Sequence, residues 1–181
     1  MQSFVESEGG RKLPKHMFVL GIDPGLSRTG YAVVEETPQG SRAVCAGALL
    51  TDPDAPIAER LSELFEDLTR LIAEYSPDEA AIEDLFVNKN LHTAMAVGRA
   101  SGVALLALAR SGIPVHEYTP SAVKAAVCGY GDADKDQVQR AVMMRLSLEA
   151  PPTPADASDA LAVALCHAQS SPMRRAVEGA R

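Results

Sequence analysis

A carboxylate closes the first apolar run of the chain. Phe18-Val19-Leu20-Gly21-Ile22 leads directly into Asp23, and Pro24-Gly25 stops the run at once. An apolar run bounded by turn signals reads as a buried strand. A charge on such a strand is costly unless it is paired or binds a cation. One reading of Asp23 is a type I turn, with Asp in first place and Pro next. The other is a metal ligand presented at a strand end, and it requires other carboxylates to converge on Asp23.

The chain is long enough to supply them from a single domain. Its 181 residues, 46% of them hydrophobic, can bury a substantial core. The longest uncharged apolar stretch, near Val103 to Ala109, falls far short of the roughly 18 residues that a membrane span needs. Met1 to His16 is polar and has no signal-peptide pattern. Cys45, Cys128 and Cys166 form neither a CxxC pair nor a zinc spacing, so they are expected as small core residues in a reducing, cytoplasmic setting.

The net charge of -7 argues against a nucleic-acid partner until its distribution is considered. Leu50 to Asp84 carries 11 acidic and 2 basic residues, whereas Leu85 to Ser147 carries 7 basic and 4 acidic. That asymmetry predicts one acidic face and one mildly basic face. Alone it does not establish DNA binding.

Residues 1–16 read as a flexible leader and 170–181 as a flexible tail, with one domain over 17–169. Phe18 to Asp23, Gly30 to Glu36 and Ser41 to Thr51 are expected as three strands joined by short loops, an antiparallel meander. The period then changes: Ile57, Leu61, Leu64, Leu68, Leu71 and Tyr75 recur at helical spacing, while Glu59, Glu63, Glu66 and Asp67 form a solvated face. Glu79 to Leu85 is a short strand ending in Glu83 and Asp84. A long helix rich in Ala and Gly follows from about Leu91 to Arg110, then a strand from Ile113 to Tyr118. Thr119-Pro120 opens a helix through about Ala126, and Asp134 with Gln137 forms a capping box for the next. Ala155 to Ala168 is the last helix. Strands alternating with helices in this order give an α/β fold with a mixed five-stranded sheet flanked by helices.

In such a sheet the first strand has an antiparallel partner on one side and, after a helical crossover, the strand ending at Glu83 in parallel on the other. Neighbouring strands lie about 4.8 Å apart. Asp23 and Glu83 would then meet at the carboxyl edge, where ligand sites of open α/β sheets form. Two carboxylates there repel unless a cation lies between them or one is protonated. Asp156 and Asp159, three apart in the last helix, share a face. Acidic residues in a first turn also simply favour the helix dipole, which for Asp156 is a sufficient account. Asp159 is harder to explain so, because Ala160, Leu161, Val163, Ala164 and Leu165 mark a packed helix. Four hard oxygen ligands without nearby Cys or His suit Mg²⁺ or Mn²⁺. Two such ions about 3.5–4 Å apart can activate water and stabilise the leaving oxygen of a phosphodiester.

Four motifs in order carry a resemblance: Gly21-Ile22-Asp23-Pro24-Gly25 with Arg28-Thr29-Gly30, Ile82-Glu83-Asp84-Leu85-Phe86 with Lys89-Asn90, Gly98-Arg99-Ala100 with Gly102, and Asp156-Ala157-Ser158-Asp159-Ala160-Leu161-Ala162. From about Met17 to Gln169 the chain resembles the RuvC family of bacterial Holliday junction resolvases, within the RNase H-like nuclease superfamily. The resemblance implies an RNase H-like fold and catalytic, metal-binding roles for Asp23, Glu83, Asp156 and Asp159. It implies two Mg²⁺ per subunit, with Mn²⁺ able to substitute. It also implies a homodimer that nicks four-way junction DNA symmetrically, and the RuvA–RuvB branch-migration complex as a partner.

Lys124 and Lys135 match basic positions that this family places at the DNA, although either could be an ordinary solvated lysine. Lys89 belongs to the same set. Phe86 matches an aromatic set beside the junction, where an apolar wedge can unstack a base step; its alternative is a core residue. His16, His92, His116 and His167 match no ligand spacing and are expected in surface or core roles. Asp132 and Asp136 dilute the charge around Lys135. The rival functions are an actin-like or sugar-kinase-like ATPase, which a chain of this length has no second lobe to complete, a non-catalytic junction-binding scaffold, and an RNase H-type nuclease acting on hybrids.

Overall fold

The structure, a computed structural model, describes residues 16–84 and 91–178. Phe86 and Lys89 lie outside the described residues, as do residues 1–15 of the expected leader.

Three strands open the fold: β1 (Met17–Asp23), β2 (Arg28–Thr37) and β3 (Gly40–Leu50). Then follow α1 (Ile57–Tyr75), β4 (Glu79–Glu83), α2 (Leu91–Arg110) and β5 (Val115–Tyr118). Three helices complete it: α3 (Pro120–Cys128), α4 (Lys135–Leu146) and α5 (Ala155–Glu178). The sheet order is β3-β2-β1-β4-β5. β1 pairs antiparallel with β2 and parallel with β4, the arrangement expected from the sequence.

Successive side chains of a strand face opposite layers, and β1 divides accordingly. Leu20 and Ile22 pack with Leu64 and Leu68 of α1 and Ala100, Ala104 and Leu108 of α2. Val19 faces the other layer, with Val123 of α3, Val138 and Val142 of α4 and Leu161 and Leu165 of α5. Asp23 follows Val19 and Gly21 in that alternation and so belongs to the layer of α3, α4 and α5.

α5 lies directly against the sheet backbone. A β-carbon on Gly21 would stand 2.2 Å from the Ala160 carbonyl oxygen, and one on Gly30 would stand 2.2 Å from that of Asp156. No other residue leaves room for that approach. The helix runs on to Glu178 rather than ending near Ala168. Ser170-Ser171-Pro172 does not stop it, although Pro172 has no N–H to donate to the Ala168 carbonyl.

The smaller helices start as their sequences dictate. Thr119 caps α3 by accepting from the Ala122 N–H at 3.2 Å, with Pro120 next. Asp134 accepts from the Gln137 N–H at 2.8 Å, and Gln137 Oε1 accepts from the Asp134 N–H at 2.8 Å. This box fixes Lys135 as the first residue of α4.

Candidate active site

Register places the first two carboxylates. Ile22 pairs with Ile82 across β1 and β4, so Asp23 and Glu83 are the next residues on adjacent parallel strands. The Gly30–Asp156 and Gly21–Ala160 contacts set the first turns of α5 above them. Asp23, Glu83 and Asp159 line one cleft of about 250 Å³, together with Lys124, Lys135, Pro120, Val123, Val138 and Ala162. Three of the four predicted carboxylates and two of the predicted basic residues thus meet in one place.

Asp156 stands at the rim. Its Oδ2 accepts from Arg28 Nη1 at 3.3 Å, yet its charge still reaches Asp23. Lys135 Nζ lies 2.9 Å from Asp159 Oδ2, and that bond raises the Lys135 pKa. Asp159 and Asp156 therefore each have a cationic side chain of the protein beside them. Among the described residues no ion pair is made by Asp23 or Glu83.

The electrostatics follow from that distribution. Burial, then the negative charges of Glu83, Asp159 and Asp156, push the Asp23 carboxyl up to about 7, against a partial opposing pull from Lys135. Burial and Asp159 also raise Glu83, with Lys124 and Lys135 opposing. Carboxylates so perturbed and set in a cleft make this cluster the candidate functional site. The residues present fit a hard divalent cation: all four are oxygen donors, and a cation between Asp23 and Glu83 would relieve the repulsion that holds a proton on the pair.

The loop after Asp23 is held by a residue that sequence reasoning missed. Arg60 of α1 is only 8% exposed. It donates from Nε to Thr51 Oγ1 at 3.1 Å and from Nη2 to Ser27 Oγ at 2.6 Å. Thr51 Oγ1 in turn donates to the Leu26 carbonyl at 2.6 Å, and Thr29 Oγ1 to that of Gly25 at 2.7 Å. The loop that carries Arg28 to the rim is thereby fixed at several points. No sequence signal set it apart, because Arg70 of the same helix also stands among leucines and is exposed.

A second omission lies elsewhere. The histidines are expected in surface or core roles, and His167 is indeed fully buried, but two of them also meet a carboxylate. Glu79, His116 and His167 bring one ligand atom each to within 4.8 Å of one another. The three come from β4, β5 and α5, and their separation in sequence hid the cluster. His16 is paired as well: its Nδ1 is 2.6 Å from Glu35 Oε1.

The family model for crossover junction endodeoxyribonuclease RuvC matches residues 19–167. The chain is 52% identical to crossover junction endodeoxyribonuclease RuvC of Roseiflexus sp. (strain RS-1), over 90% of this chain and 96% of that protein. It is 53% identical to the protein of the same name in Chloroflexus aggregans, over 86% of this chain and 95% of that protein. The structure is similar to that of Thermus thermophilus RuvC, with a TM-score of 0.81 and 34% identity, covering 87% of this chain and 97% of that one. It is equally similar to T. thermophilus RuvC in complex with a Holliday junction substrate, with a TM-score of 0.82 and 34% identity, covering 87% of this chain and 96% of that one. The carboxylate cleft at the sheet edge, the RNase H-like fold that builds it and these relatives agree: the chain belongs to the RuvC family of crossover junction endodeoxyribonucleases.

Proposed function

We propose that this chain hydrolyses phosphodiester bonds of four-way DNA junctions at Asp23, Glu83, Asp159 and Asp156. The observation that carries the reading is the cleft itself: half-buried, mutually repelling carboxylates on its floor and Lys124 and Lys135 on its wall. The four carboxylates would hold two Mg²⁺ per subunit, with Mn²⁺ able to substitute. When bound, such ions supply an activated water and charge stabilisation for the leaving oxygen. The chain's own part is to hold and place. Asp23 and Glu83 are fixed by strand register, Asp159 by the seating of α5. Lys124 and Lys135 would take non-bridging phosphate oxygens, Lys135 with the added field of the α4 amino terminus. Lys89 and Phe86 follow Glu83 by six and three positions and are assigned to the DNA strand and to a wedge at the junction centre.

Two cuts of like polarity require two such sites. Leu91, Met95, Gly102 and Leu106 fall on one stripe of α2. The three large side chains are exposed, and the space over Gly102 is open. A stripe of that kind suits the facing helix of a second copy, and we assign the homodimer contact to it. The RuvA–RuvB complex is the partner that the family resemblance implies. A cytoplasmic setting is consistent with three free cysteines and with the absence of any described helix long and apolar enough to cross a membrane.

The test is cleavage of a labelled mobile junction in Mg²⁺, Mn²⁺, Ca²⁺ or EDTA, beside linear duplex and an RNA–DNA hybrid. Paired symmetric nicks in Mg²⁺ and Mn²⁺ alone are expected, with binding but little cutting in Ca²⁺. Asp23→Asn is expected to lose cutting by at least about 10³-fold while still binding the junction. Cutting retained in that variant would remove the assignment, and cutting of the hybrid alone would move the activity to RNase H-type substrates.

A further inference from the structure

We propose that Glu79, His116 and His167 form a second divalent-cation site, built for an ion that favours imidazole, such as Zn²⁺, and separate from the carboxylate cleft. Glu79 begins β4 and Glu83 ends it. At about 3.3 Å per residue the two lie about 13 Å apart, so the cluster sits toward the far end of the same strand. His116 is on β5, opposite Ala81. His167 is on α5, more than two turns beyond Asp159.

The geometry brings three ligand atoms together, one from each of three elements. His167 Nε2 is 2.5 Å from Glu79 Oε2, and His116 Nε2 is 3.8 Å from the same oxygen. The two imidazoles stack with centroids 4.6 Å apart and planes 20° from parallel. The His167 side chain is fully buried, whereas those of Glu79 and His116 are 26% and 25% exposed. Solvent can therefore supply a fourth ligand from their side. The Tyr118 hydroxyl lies 2.8 Å from His167 Nδ1. An outer bond of this kind orients a ligating imidazole and fixes its tautomer.

Two imidazoles and one carboxylate with water in fourth place are a recognised zinc donor set. Imidazole favours Zn²⁺ and its transition-metal neighbours over Mg²⁺ or Ca²⁺. The proton balance is simple. With its proton on Nε2, His167 would donate to Glu79 while Nδ1 accepts from the Tyr118 hydroxyl. An incoming ion takes the place of that proton, Glu79 stays ionised, and Nδ1–H of His167 donates to the Tyr118 oxygen, the hydroxyl turning to accept. The proton lost from Nε2 is thus matched by the one gained at Nδ1, and none is released to solvent. The ion would join β4, β5 and α5, two of which also carry Glu83 and Asp159.

The experiment titrates the chelator-treated, untagged chain with Zn²⁺ by calorimetry and with Co²⁺ by visible absorption, in 10 mM Mg²⁺. Expected are one ion per chain, an enthalpy that does not vary with the ionisation heat of the buffer, and Co²⁺ bands of a four-coordinate site. Saturating Zn²⁺ is expected to raise Tm by several degrees. His116→Phe, which keeps a ring on the stack, and Glu79→Gln are each expected to weaken binding by about 100-fold. Asp23→Asn is expected to leave it unchanged. Both variants at His116 and Glu79 are checked by circular dichroism, so loss of binding is distinguished from loss of fold. The proposal is overturned by Zn²⁺ binding that Mg²⁺ displaces, by binding lost in Asp23→Asn but kept in His116→Phe, or by no binding below millimolar ion. None of these outcomes depends on junction cleavage.

Discussion

Asp23 illustrates how one residue couples chemistry to stability. Its carboxyl is pushed up to about 7 in the folded protein, from 3.8 in the free chain. The folded state therefore holds a proton that the unfolded state gives up across that interval. Stability from this group is undiminished below about 3.8, falls as pH rises, and reaches its full penalty above about 7. Without divalent ions, Asp23→Asn should then melt higher than the parent at pH 8, by about 4–8 °C for roughly 2 kcal/mol in a domain of this size. The difference should vanish near pH 4. Thermal melts in EDTA across that range check it, and equal Tm values at pH 8 would contradict the origin of the raised pKa. A cation should erase the parent's deficit, because it replaces the proton as the source of relief. The same residue was legible in the sequence as a charge out of place on an apolar strand. Arg60 was not, because a buried cation and a solvated one look alike within an acidic helix until the hydroxyls of Ser27 and Thr51 are placed beside it.

Among the elements, the strands and helices were legible wherever hydrophobic period and turn residues agreed. The β1–β4 pairing followed from chain order alone, since a helical crossover returns a parallel strand beside the first, and it delivered Asp23 and Glu83 together. The end of α5 was not legible. The helix continues through Pro172, against what local sequence favours. The Glu79–His116–His167 cluster was hidden as well: three elements contribute one residue each, and no spacing within the sequence encodes their meeting. α2, rich in Ala and Gly, has two distinct faces. Ala100, Ala104 and Ala107 do pack inward, but Leu91, Met95 and Leu106 do not. Met95→Glu should convert the proposed dimer to a monomer at micromolar concentration while leaving the fold intact. Analytical ultracentrifugation reads the mass directly, and an unchanged dimer would move the interface off this stripe.

For the whole molecule, the net charge of -7 sits uneasily with a polyanionic substrate. The resolution lies in placement, since Lys124, Lys135 and Arg28 surround the cleft while the excess acid is concentrated on and around α1. Binding should weaken steeply with salt, and Lys135→Gln should reduce the slope of log K against log[salt] by about 1 per subunit, as loss of one phosphate contact does. Junction-binding isotherms at four salt concentrations measure it. An unchanged slope would place Lys135 away from the phosphates.

α5 touches the sheet through carbonyl oxygens set over Gly21 and Gly30. Helix and sheet are usually spaced by the side chains between them, so their separation drifts as those side chains are exchanged. Here nothing stands between the two backbones at the points that place Asp156 and Asp159 over Asp23. The spacing of the reactive groups is thus insulated from neutral substitution in the surrounding core. Leu165→Val should lower stability by about 1 kcal/mol with turnover unaltered, whereas Gly30→Ala should lower turnover by far more than its melting point suggests. Lineages can therefore rewrite the interior of this protein freely, provided that two hydrogens stay hydrogens.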